Sequence, residues 1–357
     1  MPVVHKLKRM DSEIKSIDYR PTVKTVEAPR ITALDFTKGT LVLFMVLYHW
    51  INYFVGPDWP YYIYLRFLTP SFIFITGFMI SNVYLAKYEV TDPRLSKRLV
   101  IRGVKLLAIF IVLNLVRDFV RPLLFGDTLS FSVLYPENVK VLFLTGHFSS
   151  KVIAFYILVP IAYLLILSGV LMIPRRRYKY TFQAFCIFLF LLLMAIDFSG
   201  MKNQNLEILA IGMLGMLVGF KRIEVINRAI RHPYLLALTY ILYTIAISRW
   251  NVTYPLEVIG TCLSVTIIYL VGTIEWGWHS FKETIILLGK YSLFGYISQI
   301  AILQILEASL RHAGFEYAKL LTSFIAAFVL TILAVVAIDR ARKAATEIDQ
   351  AYKAVFN

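Results

Sequence analysis

The chain has 357 residues, of which 59% are hydrophobic and 17% charged, with a mean hydropathy of +0.69. Soluble domains carry about 25% charged residues, so this composition excludes an ordinary globular enzyme. It points to an all-α polytopic membrane protein, because only helices and closed barrels satisfy their backbone groups in lipid and barrel-type alternation is absent. The net charge of +15 does not signal nucleic acid: the basic residues are spread over short inter-helix loops, where they read as topology signals and contacts to anionic lipid.

Residues 1–29 are polar and basic without an apolar core, so the reading predicts a cytoplasmic N-terminal segment, no cleavable signal peptide, and a first span that itself directs insertion. Runs long enough to cross a bilayer follow near 34–54, 64–86, 99–119, 151–173, 181–198, 205–220, 233–249, 255–274, 284–308 and 317–338. Gly56-Pro57, Pro174, Pro233 and Pro255 mark the connections. No internal repeat is visible, so one membrane domain of about ten helices is expected over 30–340, with a cytoplasmic tail over 341–357. With the N-terminus placed inside, Lys and Arg in the inner segments outnumber those in the outer segments by 25 to 8, which predicts that both termini are cytoplasmic. The two cysteines, Cys186 and Cys262, fall inside apolar spans and carry no information about compartment.

The first span contains the most informative residue. In DFTKGTLVLFMVLYHWINYF, His49 lies within the apolar run and Lys38 stands eleven residues before it. Ionisable groups in hydrocarbon are costly and mark functional sites by default. Eleven residues at 100° each bring the two onto one helical face, roughly 16 Å apart along the axis. A neutral imidazole there is able to accept a proton from a hydroxyl or an amine; the competing reading is a structural histidine bonded to a backbone carbonyl.

At the entry to the third span, RLSKRLVIRGVK places Arg98, Arg102 and Lys105 on one face through i,i+4 and i,i+3 spacing. Lys105 lies a full turn inside the apolar run. Arg supplies forked donors and Lys a point charge, which suits the phosphates of a nucleotide-like ligand; snorkelling explains Arg98 without a ligand. His147, in TGHFSS before the fourth span, is the third candidate, either orienting an acceptor or standing in solvent. No HExxH, CxxC, Walker, Rossmann or GxSxG pattern is present, so no metal and no soluble-type nucleotide fold is expected.

Several of these stretches together resemble one family. RITALDFTKGTLVLFMVLYHWINYF is similar to the opening helix of the transmembrane acyltransferase superfamily, which includes bacterial membrane O-acyltransferases of surface glycans and heparan-alpha-glucosaminide N-acetyltransferase relatives. Arg30, Asp35, Lys38, Gly39 and His49 carry the match, with Lys38 where the family has arginine. FIFITGFMIS resembles its second helix through Thr76 and Gly77, RLVIRGVK its basic third-helix entry, and AFYILVPIAYLL its F-Y-x-x-x-P helix through Tyr156. LGKYSLFGYISQ resembles a later motif through Ser292, Tyr296 and Gln299. Val152 stands where the O-acyltransferase branch often has glutamate, while Gln299 and His147 point to the N-acetyltransferase side; the branch stays open.

The resemblance implies transfer of an acyl group from cytosolic acyl-CoA, acetyl-CoA in the first instance, to a hydroxyl or amine of a glycan or lipid-linked acceptor. It implies a place in the cytoplasmic (inner) membrane of a bacterium. His49 and His147 would be catalytic, Lys38, Arg98, Arg102 and Lys105 would hold the donor, and Asp35, Thr76, Tyr156, Ser292 and Gln299 would contact substrate. The lipid bilayer is the expected environment, and a second copy of the chain is allowed as a partner. A transporter or lipid flippase without chemistry is the alternative.

Overall fold

The structure, a computed structural model, describes residues 31–56, 60–85, 93–126, 128–146, 153–175, 177–178, 180–200, 202–221, 223–229, 232–250, 253–275, 277–310 and 316–356. Among these residues the fold is all-helical. The helices are α1 (Thr32–Trp50), α2 (Leu68–Met79), α3 (Pro93–Phe125), α4 (Pro136–Lys140), α5 (Leu158–Arg175), α6 (Thr181–Phe198), α7 (Gln204–Gly219), α8 (Ile223–Ala229), α9 (Pro233–Arg249), α10 (Tyr254–Thr273), α11 (His279–Lys290), α12 (Ser292–Leu310), α13 (Glu316–Ala344) and α14 (Thr346–Phe356). Six of the helical stretches are long and apolar enough to cross a membrane, and two further apolar helices, Thr181–Ile196 and Gln204–Gly219, are shorter. The chain is therefore an integral-membrane type of helical protein.

Helix α1 is the hub. It packs against α2, α10, α11, α12 and α13, and its Leu41, Val42, Met45 and Val46 are fully buried. In lipid there is little hydrophobic drive for helices to associate, so close backbone approach through small residues does the work. Gly39 of α1 and Gly289 of α11 meet in this way: a Cβ on Gly39 would collide with the Ile285 carbonyl, and one on Gly289 with the Asp35 carbonyl. Gly77 of α2 and Gly215 of α7 form a second such contact, against the Gly212 and Phe74 carbonyls.

Several boundaries differ from those the sequence predicts. The span expected over 284–308 is divided at Tyr291 (φ −109°, ψ 28°), where the Tyr291 hydroxyl donates to Asp339 of α13 at 2.9 Å while Gly289 is pressed onto α1. Within the span expected over 151–173, α5 begins only at Leu158, because Phe155 takes a left-handed conformation (φ 60°). Helix α3 runs 33 residues, about 50 Å at 1.5 Å per residue, and so extends well beyond a hydrocarbon core of about 30 Å. Residues 346–356, expected as a tail, form the separate helix α14.

Three helices end in a single π turn: α1 continues as Ile51–Val55, α2 as Ile80–Tyr84 and α4 as Val141–Thr145. Such turns concentrate at functional sites, since the extra residue re-aims the side chains beyond it.

Two cavities separated by a tyrosine

Two of the π turns line cavities, and the third leads directly to Gly146, which lines one of them. The larger cavity, about 750 Å³, is lined by His49, Asn52, Tyr53, Arg117, Arg121, Gly146, Phe155, Tyr156, Gln304 and Glu307 among others. A smaller one, about 270 Å³, is lined by Lys38, Thr76, Tyr84, Arg102, Lys105, Lys290 and Ser292, and otherwise mainly by apolar and aromatic side chains. We term them the histidine cavity and the cationic cavity. Ile157 and Tyr296 line both, so these side chains form the partition between the two.

His49 is delivered by the last turn of α1, directly before the π turn. Its ring sits edge-on to Tyr48 with centroids 5.2 Å apart, and 6.2 Å from the ring of Tyr296. Its Nε2 is buried and has no hydrogen-bond partner among the described residues. A buried polar atom without a partner costs about 1–3 kcal/mol, so the fold maintains this nitrogen at a thermodynamic penalty. Nε2 is therefore not the atom through which a structural histidine would be tied to a carbonyl.

The wall around the histidine is held by polar bonds. Asn52 donates to the Tyr62 hydroxyl at 2.9 Å and Gln304 to the Tyr53 hydroxyl at 3.2 Å. Asn114 of α3 fixes the segment that carries Phe155: its amide donates to the Ala154 carbonyl at 2.9 Å and its oxygen accepts from the Ala154 N–H at 2.9 Å. That grip maintains the strained φ of Phe155, whose ring stands perpendicular to Tyr296 at 6.1 Å. A left-handed non-glycine residue persists only where its surroundings over-determine it. Nearby, Asp118 accepts two bonds from Arg117 and two more from the N–H and hydroxyl of Ser132, which pins the chain leaving α3.

The segment over 141–146 is tied down in the same manner. Asn205 donates to the Leu142 carbonyl at 2.8 Å and accepts from the Tyr156 hydroxyl at 2.5 Å, and Tyr163 donates to the Phe143 carbonyl at 2.9 Å. Gly146, at φ 75°, thereby reaches the histidine cavity. His147 lies outside the described residues.

In the cationic cavity, Lys38 pairs with Asp35 at 2.7 Å. Arg102 donates to the Tyr84 hydroxyl and lies 5.4 Å from the centroid of its ring. Lys105 donates to the backbone carbonyl of Ala354 at 3.1 Å. Among the described residues, four cations and no carboxylate line this space, a surface suited to an anion, since Arg and Lys are the side chains that bind phosphate oxygens.

Of the candidates read from the sequence, the fold brings Lys38, Thr76, Arg102, Lys105 and Ser292 to the cationic cavity and His49 and Tyr156 to the histidine cavity. Three lie elsewhere. Arg98 is exposed one turn before Arg102, Asp35 is buried beside Lys38 and acts on it through charge, and Gln299 is fully buried with neither amide atom bonded among the described residues. Sequence reasoning missed Asn114, the left-handed backbone of Phe155, Tyr296 as a partition, and α14. Asn114 was legible as an asparagine in mid-span; the left-handed turn at Phe155 leaves no local signature.

Searches of curated proteins and of solved structures gave no match. The sequence profile of a family described as "Acyltransferase domain" matches residues 31–340, which takes in every helix that lines the two cavities except α14. The chain belongs to that family and is a membrane acyltransferase.

Proposed function

We propose that the protein moves an acyl group, acetyl in the simplest case, from cytosolic acyl-CoA through the membrane to a hydroxyl or amine of a glycan or lipid-linked acceptor. The observation that carries this reading is the pair of cavities. One is lined by four cations, the other by a histidine with an unbonded ring nitrogen, and a single layer of side chains separates them. Reaction chemistry of this kind needs one place for an anionic carrier and another for the acceptor, with the thioester brought to the boundary.

In this scheme Lys38, Arg102 and Lys105 hold the phosphates, and the pantetheine arm runs past Thr76 and Ser292 toward Tyr296. The roughly 16 Å between Lys38 and His49 along α1 is a fitting span for that arm. His49 accepts the proton of the acceptor O–H or N–H; the oxygen or nitrogen attacks the thioester carbonyl, the C–S bond breaks, and CoA leaves as the thiolate, which takes up the proton. The alternative course is transient acylation of the imidazole, succeeded by transfer to the acceptor. Tyr48, Tyr53, Tyr156 and the amides of Asn52 and Gln304 give the histidine cavity the mixture of ring faces and planar donors that binds a sugar.

The charge distribution along the chain supports ten spans with both termini in the cytoplasm. This orientation puts the cationic cavity on the side where acyl-CoA is made and the histidine cavity toward the outer face of a bacterial inner membrane. The test is direct. Purified protein in liposomes, given acetyl-CoA labelled in the acetyl group, should release CoA and label an envelope glycan fraction. Mass spectrometry of envelope glycans with and without the protein should show the matching acyl mass. A His49→Ala protein that retains full transfer would refute the assignment.

A further inference from the structure

The cationic cavity is closed on one side by a part of the chain outside the family match. Residues 346–356 form α14, and its Tyr352, Val355 and Phe356 line the cavity together with Lys38, Arg102 and Lys105. Lys105 does not wait there unbonded: its ammonium donates to the Ala354 carbonyl at 3.1 Å. Ala354 is among the last four residues of α14, whose carbonyls have no partner within the helix. The C-terminal end of a helix carries roughly half a negative charge. The helix thus presents a weak built-in anion to cations that are otherwise arranged for a phosphate.

The latch that holds α14 in place joins an ion pair outside the cavity lining to two rings that belong to it. Arg342, near the end of α13, donates twice to Asp349, at 2.8 and 2.5 Å, and covers the ring of Tyr352 at 4.0 Å. Phe356 stacks on the Tyr352 ring with centroids 4.6 Å apart. Asp349 also pairs with Lys353 at 2.5 Å. These contacts fold a short amphipathic helix back on the bundle, where its apolar side chains fill volume beside the cations.

We infer that α14 is a displaceable plug of the donor site, an internal competitor that the phosphates of the incoming donor must expel. This rests on the assignment of the cationic cavity to acyl-CoA. A phosphate with one to two full negative charges outbids a helix end carrying about half a charge, so the plug yields to donor. The apparent donor affinity is then lowered by the fraction of molecules in which the plug is out.

The test measures CoA binding in detergent by calorimetry for the full-length protein, for Tyr352→Ala/Phe356→Ala, and for a chain ending at Ala345. It also measures trypsin cleavage at Lys353 in the full-length wild type with and without CoA. The plug predicts that both altered chains bind CoA about three- to ten-fold tighter, and that CoA accelerates cleavage at Lys353 because α14 is released. Equal or weaker CoA binding by the altered chains overturns the plug while leaving the donor assignment intact. Unchanged cleavage in the wild type overturns it without reference to any variant. Failure of all three proteins to bind CoA removes the plug and the donor assignment together.

Discussion

Tyr296 and Ile157 are side chains that the histidine cavity and the cationic cavity have in common, so at that point the same side chains wall off one space from the other. The Tyr296 ring is braced by Phe155 at 6.1 Å and lies 6.2 Å from His49. Tyr296→Ala should join the two spaces and admit water to the thioester. The expected result is a rise in acyl-CoA hydrolysis measured without acceptor and a fall in the ratio of transfer to hydrolysis. Tyr296→Phe, which keeps the ring, should leave that ratio near the wild-type value. An unchanged ratio in the alanine protein would count against a partition role.

His49→Ala should lower the transfer rate by at least about 10²-fold, the usual contribution of a positioned general base, with little change in the donor KM. His49→Gln keeps a planar polar group but cannot take the proton, and should be as inactive. Labelled-acetyl transfer in membranes, normalised to inserted protein, decides this.

Arg102→Ala and Lys105→Ala should act on the donor rather than on turnover. Hydrogen bonds to charged groups contribute about 1.5–3 kcal/mol, so each substitution should raise the donor KM by about ten-fold or more. A kcat loss with unchanged KM would place these residues outside the donor site. Arg98→Ala, being outside the cavity, should leave the donor KM within about two-fold of wild type, since a surface charge contributes little.

Gly289→Val should damage the fold itself. Its Cβ would meet the Asp35 backbone carbonyl, an obstacle that side-chain rotation cannot relieve, and overpacking of this sort costs about 1–3 kcal/mol or more. A lower melting temperature in detergent is expected, together with loss of activity. Gly126→Ala provides the contrast in space, since nothing stands within 4 Å of a Cβ there, although its φ of 72° still imposes a local strain of about 1–2 kcal/mol.

The docking of α14 should depend on acidity. Hydrogen bonds from Lys353 and then Arg342 hold the Asp349 carboxyl below its ordinary value of 3.8. A carboxyl whose folded value is depressed contributes stability that is present above the unfolded value and lost as pH falls through the folded one. Trypsin is unsuited to that range, so the measurement is pepsin cleavage within 346–356 between pH 5 and pH 2, on an order-of-magnitude scale. Cleavage relative to an unfolded control should increase as pH falls below about 4, and Asp349→Asn should flatten the dependence.

Much of the architecture was readable in the sequence because membrane helices declare themselves by length and apolarity. The cationic face of α3 was readable for a related reason: 3.6-residue periodicity fixes which of Arg98, Arg102 and Lys105 share a side. Periodicity could not say that Arg98 stops short of the cavity, since a shared helical face does not say how far along the helix the cavity extends. The break at Tyr291 was hidden because the cause is remote, a glycine contact with α1 and a hydroxyl bond to Asp339. For α14 a signal existed: Ile348, Tyr352, Val355 and Phe356 recur at helical spacing, a pattern easily passed over in eleven residues after a long span. Asp35 was placed by likeness to a motif, and its structural relation to Lys38 is an ion pair rather than a contact with either cavity.

The π turn over 51–55 carries a consequence for how this site can change over generations. One residue more than an ordinary turn needs is wound in just after His49, and each residue rotates the remainder of the helix by about 100°. Loss of a single codon between Ile51 and Val55 would restore regular winding and turn the residues beyond it relative to the cavity that Asn52 and Tyr53 now line. The smallest possible deletion would therefore reshape the wall of the histidine cavity while leaving the apolar length of the helix almost unchanged.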